Sequence, residues 1–311
     1  MKTLGLRLGQ ALATAWVIAT LCFGITHALP GDIALSIAIA RVGADRATPE
    51  VEARVRNDEA LNRPLLVQYG HWMSRVMRGD LGRSLVSRKP VIDEILYHAR
   101  FTLGLGVLGW ALSYALALPL GIACGLRPGG LVDRVVTGLT VLFAALPSFL
   151  VGIGLITLFA LTLRWLPPAG FKTPTHLVLP ALTLALGLTA FSVPVIRAAV
   201  REVARAPYMQ FARLRGLPKG AALRHHGVRN AAIPIITFAA LQMGFLIDGF
   251  VIVETLFNYP GMGDLLVRAL VARDIPIILG CALLISLLYA LVNLLADAAA
   301  LVLDPRRRRL A

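Results

Sequence analysis

The chain alternates long apolar runs with polar breaks. Runs of roughly 20 residues or more cover 11–29, 101–126, 135–163, 177–196, 234–257 and 276–303, and each is long enough to cross a hydrocarbon layer as a helix. In lipid every backbone N–H and C=O must find a partner inside the spanning element, so such runs predict helices rather than open strands. The pattern therefore predicts an all-α integral membrane fold with six transmembrane helices. An even number of crossings puts both termini on one side.

Two polar stretches stand out. Residues 32–97 follow the first run and carry mixed charge. Within them Thr48-Pro49-Glu50 reads as an N-cap, a first-turn proline and an acid on the positive end of the helix dipole. Residues 65–77 set Leu66, Tyr69, Trp72, Met73 and Val76 at amphipathic spacing. Together these predict a small helical insertion after the first helix. The second stretch, 197–233, is a basic loop between the fourth and fifth runs. The chain thus divides into residues 1–31 (N-terminus and first helix), the insertion 32–97, a five-helix core 98–304 and a basic tail 305–311.

Composition agrees. Of 311 residues 57% are hydrophobic and 15% charged, where a soluble domain is about half apolar and a quarter charged. Too few charges remain to cover a water-facing surface, which excludes a typical soluble enzyme, a disordered chain and a coiled coil. Basic residues number 31 against 17 acidic ones. In a soluble chain that excess would raise nucleic-acid binding; interleaved with apolar runs it encodes topology instead. With both termini cytoplasmic, the inside holds 16 basic residues, and the outside holds only 4 once the long outer loop is set aside. Short loops obey this positive-inside bias and long ones cross regardless. A cleaved signal peptide would also start with Lys2 and Arg7, but the first run exceeds the usual apolar region and Thr26-His27-Ala28 is a poor cleavage site. Cys22, Cys124 and Cys281 lie far apart in apolar runs and suggest neither a disulfide framework nor a zinc site.

Inside the runs, small residues recur every fourth position: Gly109, Ser113, Ala117, Gly121 and Gly125, then Ala144, Ser148 and Gly152. Such ribbons let helix backbones approach closely, within a chain or between subunits. Pro147, Pro180, Pro194 and Pro234 fall in or at the ends of runs and free backbone groups that neighbours must pair. Ionisable residues there are few: Asp248, Glu254 and Asp297. A charge in hydrocarbon costs about 2.5–3.5 kcal/mol on insertion scales. Asp248 and Glu254 are therefore candidates for a polar pathway, with a structural hydrogen bond or ion pair as the alternative.

Catalytic patterns are missing. There is no HExxH and no GxSxG, and no lysine follows a glycine as a phosphate-binding loop requires. If transport here uses ATP, another chain binds it.

The basic loop carries the most specific signal. Pro207 opens a short helix, and Gly216 followed by Pro218 closes it. Tyr208, Phe211 and Ala212 share a face at i, i+3 and i+4, and Arg213 and Arg215 complement the last turn. On spacing alone this is either a helix resting on anionic lipid or a docking element. The run Tyr208…Ala212-Arg213-Leu214-Arg215-Gly216-Leu217…Arg229-Asn230-Ala231…Pro234 resembles the coupling-loop (EAA-type) motif of ABC importer permeases, in their peptide and nickel branch. Gln210 and Phe211 stand where that motif has Glu and Ala. Further matches follow in order: Leu29-Pro30-Gly31-Asp32, Gly79-Asp80-Leu81-Gly82-Arg83-Ser84, Trp165-Leu166-Pro167-Pro168-Ala169-Gly170-Phe171, Leu179-Pro180-Ala181, Glu254…Phe257…Pro260-Gly261-Met262-Gly263 and Leu303-Asp304-Pro305-Arg306.

The resemblance implies a type I ABC importer permease fold in a bacterial inner membrane, with the 32–97 insertion outside. It implies that Tyr208, Phe211, Ala212, Arg213, Gly216 and Leu217 couple to an ATPase. It further implies a second permease subunit, two cytoplasmic ATPase subunits that bind ATP and Mg, an extracytoplasmic substrate-binding protein, and no cofactor in this chain. Membrane lipid is the remaining partner; nucleic acid is not one. The cargo implied is a dipeptide or oligopeptide, with nickel or a metal chelate as the alternative. A secondary transporter is the competing class, disfavoured by the docking-type helix and the scarce intramembrane charges.

Overall fold

The computed structural model describes residues 2–28, 31–58 and 62–303. The motif residues Leu29, Pro30 and Asp304–Arg306 and the basic tail lie outside the described residues. The side chains of Arg213, Asp248 and Asp297 do so as well. Among the described residues the chain is helical and has no strand. It forms two compact units, residues 1–102 with 260–290 and residues 103–259 with 291–311.

The first unit holds the insertion after the first helix. α1 (Lys2–Ala28) is 27 residues long, about 40 Å at 1.5 Å per residue. α2 (Ile33–Val42) was not foreseen from the sequence. It exists because Asp32 caps it, accepting from the Ala34 and Leu35 N–H groups at 2.8 and 3.3 Å, the arrangement that satisfies a helix's first orphan donors. Arg56 of α3 (Pro49–Asp58) pairs with the same carboxylate and with Glu52 at 2.8 Å. α4 (Leu65–Val76) follows, as its amphipathic spacing predicts. The Gly79–Ser84 motif becomes a knot. Buried Asp274 accepts from the Ser84 hydroxyl, from Leu85 N at 3.0 Å and from Val86 N at 3.4 Å. The Ser84 hydroxyl oxygen in turn accepts from Val86 N and Ser87 N at 3.1 and 2.8 Å. α12 (Met262–Ala272), also absent from the hydrophobicity pattern, ends at Arg273 in a left-handed conformation. α13 (Ile275–Leu303) then begins, and its Gly280 admits the start of α5 (Val91–Leu126): a Cβ there would lie 2.7 Å from Ile95 Cδ1.

The second unit is built on α5 (Val91–Leu126, ten residues longer at its start than the predicted span) and α8 (Val178–Arg205). The four-residue ribbon of α5 lies against α8. A Cβ at Gly109 would sit 3.0 Å from Leu184 Cβ, one at Gly121 2.7 Å from Ile196 Cβ, and one at Gly125 2.8 Å from Val200 Cβ. Both series ascend together, so the two helices run parallel. The small residues serve packing within the chain.

The predicted third span is not one helix. α6 (Leu131–Ala145) and α7 (Ser148–Leu155), which continues in π-helical form over Ile156–Thr162, meet at 109°. Pro147 is the cause. It disfavours a helical residue before it, and Leu146 is extended at φ −85°, ψ 128°. α11 (Val228–Leu256) is also bent, by 60° between Val228–Gly244 and Gly249–Leu256. Among the described residues three helices are thus long and apolar enough to cross a membrane unbroken, five crossings result if each bent pair is one span, and α1 contributes the shorter apolar helix Ala13–Ile25.

Candidate functional site

α8 runs well past its apolar part to Arg205, two turns beyond Arg197. Ala206 is extended (ψ 143°) ahead of Pro207, as a residue before proline tends to be, and the chain turns into α9 (Pro207–Leu214). Gly216 closes α9 at φ +87°, a conformation that favours glycine. Leu217 N–H donates to Ala212 O at 3.2 Å, the six-residue bond of a Schellman stop.

The structure divides the residues that helical spacing had placed on one face. Ala212 is buried with Met209, in a cluster that includes Val203 and Ala222 and is flanked by Leu217. Tyr208, Phe211 and Leu214 point outward, the latter two 68% and 83% exposed. Ala212 and Leu217 therefore seat the helix, while Phe211 and Leu214 form its open apolar edge. The reason is geometric. Residues i and i+1 of a helix diverge by about 100°, so the seat formed with α8 and with α10 (Lys219–Ala222) takes Ala212 and leaves Phe211 outside it.

Two fastenings escaped sequence reading. Asn230 Nδ2 donates to the Tyr208 hydroxyl at 3.1 Å, tying α9 to the start of α11. Tyr208 and Asn230 also border a half-polar cleft of about 320 Å³ that contains Glu202. The second fastening lies eight residues before the end of α8, where Arg197 donates to Asp133 of α6 through Nε at 2.5 Å and Nη2 at 2.8 Å. Gly129 N–H adds a third bond at 2.8 Å. The Arg197 hydrogen bond foremost, then the Gly129 N–H, pull the Asp133 carboxyl down to about 2. α6 is thereby latched to the helix that carries α9. Both residues lie in unremarkable polar positions of the sequence; only their meeting in space reveals the latch.

The pathway candidates fare differently. Glu254 is 0% exposed, enclosed with Val253, Phe257 and Tyr259, so its place is in the chain's own core rather than on an open wall. Asp248 sits on α11 between the two arms of its bend. The first arm of α11 is tied to α8 by a buried polar pair, in which Ser192 donates to Gln242 Oε1 at 2.9 Å and Gln242 Nε2 donates to Leu188 O at 2.8 Å. His98 Nδ1 meets Pro260 O at 2.8 Å, and His176 closes a capping box with Thr173.

The helical membrane core and its basic, helix-bearing loop are those of a permease of an ATP-driven importer, as the relatives of the chain show. Residues 117–309 match the binding-protein-dependent transport system inner membrane component family, and this chain belongs to it. It is 36% identical to the "Probable peptide ABC transporter permease protein y4tP" of Sinorhizobium fredii, over 97% of both chains. It is 37% identical to the glutathione transport system permease protein GsiC of Pectobacterium atrosepticum and of Salmonella choleraesuis, again over 97% of both chains. The fold is similar to a chain of the MetNI methionine ABC transporter in an inward facing conformation (TM-score 0.53, 14% identity, 68% of this chain and 97% of that one). A chain of an amino acid ABC transporter solved with histidines is also similar (TM-score 0.50, 15% identity, 70% and 94% covered). The chain is a multi-pass inner-membrane permease subunit, works in a system with an ATPase and a binding protein, and leaves ATP hydrolysis to a separate subunit.

Proposed function

We propose that this subunit forms half of a pathway for small peptides, with both termini and α9 in the cytoplasm. The open edge of α9 would be the contact with an ATPase subunit. The observation that carries the coupling role is the exposure of Phe211 and Leu214 on a helix fastened at both ends, by the Tyr208–Asn230 bond and by the Gly216 stop. A helix so held transmits a push to α8 and α11 instead of absorbing it. The 16-to-4 excess of basic residues supports the orientation. The relatives named for peptide and glutathione transport support a peptide-like cargo. A second permease subunit would complete the pathway, two ATPase subunits would bind ATP and Mg, and an extracytoplasmic binding protein would deliver cargo. Asp248, at the bend of α11, is the residue through which a peptide ammonium group would be favoured electrostatically.

The test is Phe211→Asp together with Leu214→Asp in the assembled transporter. Both positions are open, so the chain should still insert and accumulate, while stimulation of ATP hydrolysis by the peptide-loaded binding protein is lost. Undiminished stimulation in the double variant would assign this edge to the lipid surface. Asp248→Asn should lower peptide uptake with basal ATP hydrolysis unchanged; uptake at the native rate would leave Asp248 a structural role.

A further inference from the structure

The outer insertion contains a helix with two apolar faces, and the fold covers only one of them. On α4, Tyr69 and Trp72 pack on α1: Phe23 meets the Tyr69 ring edge-on at 5.3 Å and stacks with Trp72 at 6.1 Å. The Thr20 and Tyr69 hydroxyls share a hydrogen bond of 2.8 Å. A second stripe, Leu66, Gly70, Met73 and Met77, runs beside the first at i, i+4, i+7 and i+11. That spacing keeps one side of a helix. Leu66 is 84% and Met77 78% exposed.

The height of the contact identifies what covers this stripe. Thr20 and Phe23 lie eight and five residues before Ala28, the end of α1, or about 12 and 8 Å inward along the helix. Leu21 and Ile25 of α1, both exposed, face the surrounding medium at and beyond that level. On a membrane-crossing helix that medium is lipid, and an apolar stripe set beside it at the same depth meets the same solvent. Exposed Arg63 and Arg78 bracket α4, and His71 and Arg75 occupy the side away from the stripe. This is the charge placement of a helix lying in a headgroup layer, with basic groups reaching lipid phosphates.

We propose that α4 is an interfacial helix embedded in the leaflet at the C-terminal end of α1. Leu66, Met73 and Met77 enter the acyl boundary, and Arg63 and Arg78 lie at the phosphates. The insertion is thereby held at membrane level from below as well as through its own core.

Spin labels at Leu66→Cys, Met77→Cys and, as a polar-side control, His71→Cys test this in the assembled transporter. The three native cysteines are replaced by alanine, and the vesicles contain phosphatidylethanolamine and phosphatidylglycerol. Leu66 and Met77 are exposed in the chain, so labelling leaves its packing intact. The ratio of collision rates with oxygen and with a water-soluble nickel chelate should be roughly threefold or more higher at positions 66 and 77 than at 71, because oxygen partitions into acyl chains and the chelate does not. Equal ratios at all three positions would place the stripe in water. Labels at 66 and 77 shielded from both reagents would place it against another protein. Either result overturns the proposal.

Discussion

The two units are held together by different means. In the first, irregular backbone is fixed by carboxylates: Asp32 caps α2, Asp80 accepts from Gly82 N–H at 2.8 Å, and Asp274 gathers the 84–86 loop. In the second, helices touch where side chains are smallest, at Gly109, Gly121 and Gly125 against α8. The difference follows from the solvent. A loop near water leaves main-chain donors that need acceptors. A helix in lipid has its backbone already paired and gains from close van der Waals approach. Damage should therefore spread differently in the two units.

The largest effect should come from filling the α5–α8 contact. A side chain at Gly125 would begin 2.8 Å from Val200 Cβ and 2.9 Å from the Arg197 carbonyl oxygen, and backbone cannot rotate aside. Gly125→Leu should cost at least the 1–3 kcal/mol typical of overpacking, and the chain should fail to accumulate in the membrane. Gly138→Leu on α6, where nothing lies within 4 Å, should accumulate normally. Equal accumulation of the two variants would show that the α5–α8 ribbon is not the keystone of the second unit.

A smaller, local effect is expected at Asp274. Asp274→Ala leaves the Ser84 hydroxyl and the Leu85 N–H without their acceptor, at about 1–3 kcal/mol for each buried group left unmet, while Val86 N–H keeps the Ser84 oxygen. Limited trypsin cleavage at Arg83 or Arg88 should accelerate at least several-fold, while the amount of membrane-inserted chain changes little. Asp274→Asn keeps one acceptor oxygen and should fall between. If Asp274→Ala instead prevented insertion, the contrast between the units would fail.

The contrast also explains what the sequence disclosed. Apolar run length fixes most crossings because lipid imposes it, and the ribbon on α5 announced a close helix contact before any partner was known. The break at Leu146-Pro147 was legible as a proline but not as a turn of 109°, because a proline can equally kink a continuing helix. α2 and α12 escaped notice because neither, at 10 and 11 residues, is long enough to cross lipid. For α9 the helix and its glycine stop were readable. Which of Phe211 and Ala212 faces inward was not, since that depends on α8 and on the segment after Gly216. The Asp133–Arg197 latch joins residues 64 apart, beyond any local pattern.

That latch supplies the smallest effect, one expected to leave no mark on the pH profile. The folded state holds the Asp133 carboxyl at about 2, below its ordinary 3.8, chiefly through the Arg197 hydrogen bond. A depressed carboxyl contributes stability that is fully present above the unfolded value and is lost as pH falls through the folded one, here between about 4 and 2. From pH 5 to 8 the latch is therefore closed throughout. Asp133→Asn removes the charge while keeping shape and leaves Arg197 without its carboxylate. It should lower stimulated over basal ATP hydrolysis several-fold, by loosening α6 from the helix that carries α9. Because the native latch does not titrate in this range, the ratio of variant to native stimulation should stay flat from pH 5 to 8. A ratio that changes with pH would mean that Asp133 exchanges its proton during turnover, and that the pair is a switch instead of a fixed strut. A flat ratio with undiminished stimulation in Asp133→Asn would mean that the push on α9 is carried by α8 and by the Tyr208–Asn230 bond to α11, without α6.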